Sequence, residues 1–240
     1  MKAGRRFPVV VFVVSLLFQA VALGGSLDQC QEYTKYGIPG DKGDLLCRTG
    51  YALAHNPEHK TPDWVAEHLT REKASAVRAR SNDFQPDPDL EPGQRAELAD
   101  YKNTGYDRGH MAPAGDMRWD KEAMSESFFL SNMSPQVGIG MNRGIWKNLE
   151  EKARTWAIKR GDLYIFTGPI YTSGAPEKTI GANKVAVPTH FYKIVFDPVR
   201  VEAIAFIMPN QPLKAKDLPN YIVSVHEVES RTGLDFLSAI

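Results

Sequence analysis

The feature that most constrains the fold is one strongly amphipathic helix, predicted over residues 142–159. Its apolar side chains recur at three- and four-residue steps and fall within an arc of about 120°, the stripe that a helix buries against a core. The stripe is formed by Ile145, Trp146, Leu149, Ala153, Trp156 and Ala157. Ile158 falls on the opposite side, against the pattern. A helix with one such stripe needs a second layer of secondary structure to cover it.

Segments rich in β-branched and aromatic residues predict the strands of that second layer. These segments are 163–171, 185–196 and 201–208, with 128–133 as a further candidate. Residues 197–200, Asp-Pro-Val-Arg, predict a hairpin turn. Residues 62–70 fit either a strand or a helical turn, and the Pro- and Asp-rich residues 84–94 predict a surface loop. Strands with one long helix packed on them indicate an α+β domain.

The composition is that of an ordinary folded chain, since 42% of the 240 residues are hydrophobic and 24% are charged. It excludes disordered, collagen-like and coiled-coil proteins, and the length fits one large domain. The 29 basic side chains are balanced by 29 acidic ones, so the formal net charge is zero. A polyanionic partner would therefore have to be bound by a local cluster of basic residues.

The N-terminus predicts a cleaved export signal over residues 1–22 and a single domain over 23–240. Lys and Arg residues precede an apolar run at 9–18, and 20–22 (Ala-Val-Ala) has the small-x-small pattern of a cleavage site. The run is about ten residues long, too short to anchor the chain across a bilayer core of roughly 30 Å. The segment is neither amphipathic nor Ser-rich, unlike a mitochondrial presequence. We therefore expect an exported protein, periplasmic or secreted, with no membrane association after cleavage.

Export would place Cys30 and Cys47 in a compartment that permits disulfides. The two cysteines are an even pair, close in sequence. A bridge between them would stabilise the fold by about 3 kcal/mol in the chain-entropy model. Neither cysteine has another Cys or a His at metal-ligand spacing, so we predict a structural disulfide.

The segment Asp107-Arg108-Gly109-His110 carries residue types that phosphodiester hydrolysis requires. A neutral histidine accepts a proton from water near pH 7, because its ordinary pKa is about 6.5. An arginine grips phosphate oxygens in bidentate fashion, and Gly109 lets the backbone pass close to a site. Taken alone, a histidine in this setting is more often structural than catalytic.

Asn142 and the margin of the helical stripe offer a second set of candidates. Asn142 fits a helix cap, and its carbonyl oxygen is also a hard, neutral ligand suited to Mg²⁺. Glu150 and Arg154 lie beside the stripe, where they fit either an i,i+4 ion pair on a solvated face or a site at the helix edge.

Taken together, these motifs resemble the DNA/RNA non-specific endonuclease family of ββα-metal nucleases. The resemblance rests on 107–111 with Gly115, on 131–136 (Ser-Asn-Met-Ser-Pro-Gln), and on Asn142, Trp146, Glu150 and Arg154. It extends from about residue 47 to residue 228. The family resemblance implies a ββα-metal nuclease fold, with a central antiparallel sheet, flanking helices and a long catalytic helix.

The resemblance also implies the roles of the reacting groups. His110 would be the general base that activates the attacking water. Asn142 would be the one direct protein ligand of a divalent metal, Mg²⁺ with Mn²⁺ as the alternative. Glu150 would hold a water of the metal's hydration shell.

Further residues are implied to bind the substrate or to order the site. Arg108 and Arg154 would contact the scissile or a neighbouring phosphate, and Asn132 would order the site. An upstream arginine also belongs to the family pattern, and Arg80 is the first candidate with Arg78 as the second.

We therefore expect a metal-dependent endonuclease that binds DNA and RNA through their phosphates and reads little base sequence. The sequence has no cluster of carboxylates spaced for two bridging metals, which favours a one-metal scheme. Activity should fall as the pH drops through the His110 pKa. The alternatives are a nuclease-like domain that binds without cutting and a secreted phosphodiesterase for small nucleotides. The sequence leaves the oligomeric state and any preference between DNA and RNA open.

Overall fold

The computed structural model describes Met1 and residues 30–172 and 176–240. The predicted signal segment, residues 1–22, therefore lies almost wholly outside the described residues, and its cleavage and the domain boundary at residue 23 stay predictions. Within the described ranges, no helix is both long and apolar enough to cross a membrane.

The described part of the chain alternates short helices with strands. The strands are β1 (Asp44–Cys47), β2 (Tyr51–Asn56), β3 (Thr61–Thr70), β4 (Tyr106–His110), β5 (Met133–Val137), β6 (Asp162–Ile170), β7 (Lys178–Ile180), β8 (Val185–Val187), β9 (His190–Asp197), β10 (Glu202–Pro209) and β11 (Ile222–Val223). The α-helices are α1 (Arg71–Ser75), α2 (Leu98–Tyr101), α3 (Lys121–Glu126), α4 (Lys147–Arg160) and α5 (Val225–Thr232). Single 3₁₀ segments cover Leu130–Asn132 and Ala215–Tyr221, and a wide π-type turn covers Gly138–Trp146.

Seven strands form one antiparallel sheet in the order β1-β2-β3-β6-β9-β10-β11. β3 lies between β2 and β6 in this sheet, so residues 62–70, which the sequence left open between a strand and a helical turn, form a strand. The hairpin turn between β9 and β10 is confirmed, because the Asp197 carboxylate accepts hydrogen bonds from the backbone N–H groups of Val199 and Arg200, each at 3.0 Å. The α+β prediction is thus confirmed.

Two strand predictions need correction. The segment 185–196 divides into β8 and β9, because Pro188 lacks the N–H that a continuous ladder requires. Residues 128–132 form no named strand, and β5 begins only at Met133. In that segment the Asn132 side chain donates to the backbone carbonyls of Ala112 and Ser127, so it supports a turn instead of an extended strand.

The loop at residues 84–94 contains no helix or named strand, as predicted, but it is anchored in the protein. Asp87 in this loop is fully buried. The guanidinium of Arg48 donates to both Asp87 carboxylate oxygens, at 2.6 and 2.7 Å. Arg95 donates to the Asp87 carbonyl at 2.7 Å. The loop is therefore fixed next to the strands that it follows.

The predicted helix exists, but it begins with a distorted turn. Gly140, at φ +85°, and Gly144, at φ −130° and ψ −110°, interrupt the helical backbone between Gly138 and Trp146, and the regular helix α4 follows. Gly161, at φ +100°, ends α4. The stripe is confirmed, because five of its six residues are fully buried and Trp156 is partly buried. Ile158 is exposed, at 42%, as its position on the wheel required.

The alternation of side chains along the central strands creates two cores. On one face of the sheet, Val65 and Phe191 pack in the same apolar cluster as Ile145 and Trp146, which directly precede α4. Residues of the opposite face, including Trp64 and Tyr192, pack with Val228 of α5 and with the N-terminal segment. The helix that carries the candidate site is therefore held by the sheet itself.

A two-stranded ribbon of β4 and β5 lies beside this helix. The strands pair in antiparallel register, with His110 opposite Met133 and Asp107 opposite Gln136. Gly109 has the Gln136 side chain directly against it, since a Cβ at this position would lie 2.3 Å from Gln136 Oε1. Glycine is thus required here for packing within the ribbon.

The disulfide between Cys30 and Cys47 is confirmed. It joins the first turn of the described residues 30–172 to the last residue of β1, with the two Cα atoms 5.2 Å apart and the two cysteines 17 positions apart in sequence. Cys30 is buried together with Tyr33 on the face of the sheet that α5 covers.

Replacing both cysteines, Cys30→Ser and Cys47→Ser, should lower the free energy of unfolding by about 3 kcal/mol, because the unfolded chain gains the freedom of the opened loop. Denaturant unfolding of the oxidised wild type, the reduced wild type and the double variant measures this. The reduced wild type should behave like the variant. Equal unfolding midpoints for the oxidised wild type and the variant would show that the bridge contributes nothing to stability.

Candidate active site

A cleft of about 700 Å³ opens between the β4–β5 ribbon, the segment that carries Arg80, and the start of α4. Its charged lining residues are Arg80, Lys102, Asp107, Arg108, His110, Arg143, Lys147, Glu150 and Arg154. Apart from the histidine, six of these are basic and two are acidic. The chain as a whole carries no net charge, so positive charge is concentrated at this cleft.

His110 stands at the end of β4 and is only 8% exposed. Its ring packs edge-on against Phe84 and Phe128, with ring centroids 5.7 and 5.0 Å away. Burial, assisted by the positive charges of Arg80 and Arg108, lowers the pKa of the imidazole from 6.5 to about 3. The ring is therefore neutral at pH 7 and able to accept a proton. This pKa lies well below the ordinary histidine value of 6.5.

Asn132 fixes the backbone of the two residues that follow His110 in sequence. Its side-chain oxygen accepts from the Ala112 N–H, and its amide group donates to the carbonyls of Ala112 and Ser127, each at 2.9 Å. Its own carbonyl accepts from the Met111 N–H at 3.0 Å. The side chain is fully buried. Asn132 therefore orders the backbone that follows His110 and does not line the cleft.

Asn142 lies in the distorted turn before α4 and lines the cleft. It caps no helix, because Val137 and Trp146 occupy the N-cap positions of the two helical segments. Its amide Nδ2 donates to Asp107 Oδ2 at 2.9 Å. The amide oxygen makes no hydrogen bond to any of the described residues. Asp107 also forms an ion pair with Arg143, with Oδ2 and Nε 3.1 Å apart. Asp107 therefore connects the β4–β5 ribbon to the distorted turn before α4.

Glu150 lines the same cleft from the first turn of α4. Burial, together with the negative charge of Asp116, raises the pKa of its carboxyl group from 4.5 to about 7. Lys193, Arg154 and Arg80 act in the opposite direction. Across residues 30–172 and 176–240, no group of three or more His, Cys, Asp or Glu is placed to hold a metal ion. A cation at this cleft would therefore depend on few protein ligands.

Arg154 does not pair with Glu150 as an i,i+4 partner. Its guanidinium instead donates to the buried carboxylate of Asp116 at 2.6 Å. Gly115 makes room for this contact, since a Cβ there would lie 2.6 Å from Arg154 Nη1. The small residue in the motif thus allows Arg154 to approach the backbone.

The two other predicted arginines lie on aromatic rings at the cleft. The Arg108 guanidinium carbon lies 3.9 Å from the centre of the Phe84 ring, and that of Arg80 lies 4.9 Å from the centre of the Phe128 ring. Arg80 lines the cleft, whereas Arg78 does not. The geometry thus favours Arg80 over Arg78 as the upstream arginine.

Sequence reasoning missed Phe84 and the contacts of Asp116. Phe84 lies within a Pro- and Asp-rich stretch without periodicity, so no pattern marked it. Asp116 stands directly after the noted Gly115, and a buried carboxylate is rarely left without a basic partner. That rule could have suggested a pairing with an arginine, but it could not have identified which one.

Several curated relatives match most of the chain, including the following two. Nuclease C1 of Cunninghamella echinulata var. echinulata is 41% identical over 220 residues, which cover 86% of this chain and 87% of the relative. The mitochondrial nuclease 1 of Schizosaccharomyces pombe is 37% identical over 227 residues, which cover 87% of this chain and 70% of the relative.

The expectation of an exported, periplasmic or secreted protein is wrong by this comparison. Several relatives that match most of the chain are mitochondrial nucleases by name. Targeting receptors recognise basic, apolar N-termini. The charge and hydrophobicity of residues 1–22 alone did not distinguish export from mitochondrial targeting.

The family and the fold agree with the resemblance. A family model described as DNA/RNA non-specific endonuclease matches residues 30–240. A crystal structure of the EndoG/EndoGI complex, which concerns the mechanism of EndoG inhibition, contains a chain that is 36% identical to this one with a TM-score of 0.81. The match covers 88% of this chain and 91% of that chain, and it confirms the ββα-metal nuclease fold. The chain therefore belongs to the DNA/RNA non-specific endonuclease family and is a nuclease, a hydrolase that acts on nucleic acids.

Proposed function

We propose that the protein cleaves phosphodiester bonds within DNA and RNA, with His110 as the general base and one divalent cation bound at Asn142. One observation carries this proposal: a single positively charged cleft is lined by His110, Asn142, Glu150 and the three arginines Arg80, Arg108 and Arg154. These side chains come from distant stretches of the chain. Their convergence on one cleft is what a phosphoryl-transfer site requires.

His110 would take the proton from the attacking water. The imidazole is neutral over the whole neutral pH range, but its low pKa makes it a weak base in the free protein. Two of the causes are the positive charges of Arg80 and Arg108. A bound phosphate would offset both charges, so the proton affinity of His110 would rise when substrate enters. The base would thus be strengthened in the complex.

The side chains at the start of the helix fit a hard cation. The amide nitrogen of Asn142 donates to the Asp107 carboxylate, and the amide oxygen accepts no hydrogen bond from any of the described residues. Glu150 would accept hydrogen bonds from waters around the cation, whose charge would favour the carboxylate form. When bound, Mg²⁺, or Mn²⁺ as the alternative, would stabilise negative charge developing on the phosphate and supply acidic water for the departing 3′ oxygen. With only one neutral protein ligand, binding of the cation would be weak without substrate.

Arg80, Arg108 and Arg154 would bind the scissile and neighbouring phosphates. Aromatic rings lie against the guanidinium groups of Arg108 and Arg80, and the carboxylate of Asp116 holds that of Arg154. Phosphates are common to DNA and RNA and carry no sequence information. Binding through these groups would therefore explain tolerance of both sugars and of most base sequences.

The variants His110→Ala and Asn142→Ala should each lower the cleavage rate of supercoiled plasmid and of RNA by about a hundredfold or more. The first loses the base and the second loses the ligand for the cation. EDTA should abolish cleavage by the wild type. Gel assays of the purified variants with and without Mg²⁺ measure these effects. His226→Ala and Asn148→Ala are the matched controls, because neither residue lines the cleft, and both should cleave like the wild type.

Undiminished cleavage by His110→Ala would remove that residue from the reaction. Undiminished cleavage by Asn142→Ala, or in EDTA, would remove the cation site. A dinucleotide assayed beside the plasmid separates the alternatives. Faster hydrolysis of the dinucleotide would identify a phosphodiesterase for small nucleotides, and binding without any cleavage would identify a silent domain.

The burial of His110 predicts a specific dependence of stability on pH. The folded-state pKa lies below the unfolded value of 6.5, so on acidification the unfolded chain binds a proton that the folded protein does not. Stability is therefore lost as the pH falls below 6.5, by about 2 kcal/mol at pH 5. Between pH 7 and pH 5, the free energy of unfolding should decrease by that much less in His110→Asn than in the wild type. Urea unfolding at the two pH values measures this, and an equal decrease in both proteins would show that His110 titrates normally in the fold.

A further inference from the structure

We infer that Arg118 is a positioning residue that acts through Arg80 and sets where that arginine meets the substrate. The inference rests on the proposed role of Arg80 at a phosphate. Arg118 itself does not line the catalytic cleft. It lies on the segment that follows Gly115.

Arg118 anchors the backbone of residues 77 and 78, shortly before Arg80. Its Nε donates to the carbonyl of Arg78 at 2.7 Å, and its Nη2 donates to the carbonyl of Val77 at 2.9 Å. In return, the Arg78 N–H donates to the Arg118 carbonyl at 3.3 Å. A planar guanidinium fork thus grips two consecutive carbonyls, a geometry that a single ammonium group does not reproduce.

The other end of the same segment is also fixed. Gln85 pairs with Phe129 in an isolated β-bridge, and its carbonyl accepts from the Leu130 N–H at 2.9 Å. Between these two ends, residues 76–84 contain no helix or strand. Internal secondary structure therefore does not determine the position of Arg80. The attachments of the segment to the rest of the protein do: one at each end, and one at Asp83, whose carboxylate accepts a hydrogen bond from the Ser125 hydroxyl at 2.6 Å.

The contacts of Arg80 itself are weak by comparison. Its Nε lies 3.3 Å from Asn82 Oδ1, and its guanidinium lies over the Phe128 ring at 4.9 Å, while the residue is exposed to solvent. An exposed arginine held by such contacts has several rotamers of similar energy. The backbone tether at Arg118 is the stronger restraint on its position.

Arg118 also connects the loop that carries Arg80 to the segment that holds a second arginine, Arg154. Asp116, two residues earlier, holds Arg154 at 2.6 Å, and Met117 between them is buried. The short segment 116–118 therefore contacts both the loop that carries Arg80 and the guanidinium of Arg154. This arrangement sets the spacing of two arginines that come from opposite ends of the sequence motif.

Arg118→Lys tests the inference while keeping the net charge and most of the aliphatic part of the side chain. It should lower kcat/KM for plasmid cleavage by about tenfold, because a displaced Arg80 no longer meets the phosphate. The slope of log KM against log salt should become shallower by about one, as expected for one lost phosphate contact. Arg118→Ala should lose at least as much. Urea midpoints are measured for each variant, and Arg71→Ala is the control for an exposed arginine outside the site.

The same measurements on Arg80→Ala, and on Arg80→Ala combined with Arg118→Lys, decide whether the two residues act together. The inference requires that Arg118→Lys cost nothing further once Arg80 is absent. An equal loss in both backgrounds, or a salt slope that does not change, would show a merely structural role and overturn it. No loss in the single variant would overturn it as well. If Arg80→Ala alone cleaves like the wild type, the role of Arg80 at a phosphate fails, and this inference fails with it.

Discussion

The hydrogen bond from the Asn142 amide to the Asp107 carboxylate is the interaction on which the candidate site depends. At 2.9 Å it joins the distorted turn before α4 to the β4–β5 ribbon. His110 stands on that ribbon, so the bond relates the amide that we propose as the metal ligand to the imidazole that we propose as the base. Burial of Ile145 and Trp146 against the sheet holds the helical side of the pair. The ordered backbone around Asn132 holds the other side.

The same packing that fixes the site also determines its electrostatics. His110 is buried among aromatic rings with two arginines close by, which lowers its pKa, whereas Glu150 is buried beside another acid, which raises its pKa. Both shifts leave the groups neutral more often than they would be in water. A phosphate and a cation would reverse both effects, since each brings the charge that the respective group lacks. Substrate, cation and protein are thus electrically complementary.

The sequence predicted those features that periodicity and local chemistry encode. The stripe of α4 follows from the spacing of apolar residues, the strands after it follow from their β-branched and aromatic residues, and the family motifs identified several of the residues that line the cleft. The distortion at Gly140 and the interruption at Pro188 escaped the helix and strand patterns, because each depends on one residue within an otherwise regular stretch. The pairing of Arg154 with Asp116 depends on tertiary contact, which no local pattern contains. The pKa of His110 likewise depends on burial.

Paramagnetic NMR tests whether His110 and the cation proposed at Asn142 share one site. Mn²⁺ added with a non-hydrolysable oligonucleotide should strongly broaden the imidazole resonances of His110 in the wild type. It should leave those of His226 sharp, because α5 packs on the opposite face of the sheet. Asn142→Ala should abolish the broadening. Sharp His110 resonances in the wild type at saturating Mn²⁺ and oligonucleotide would contradict the shared site.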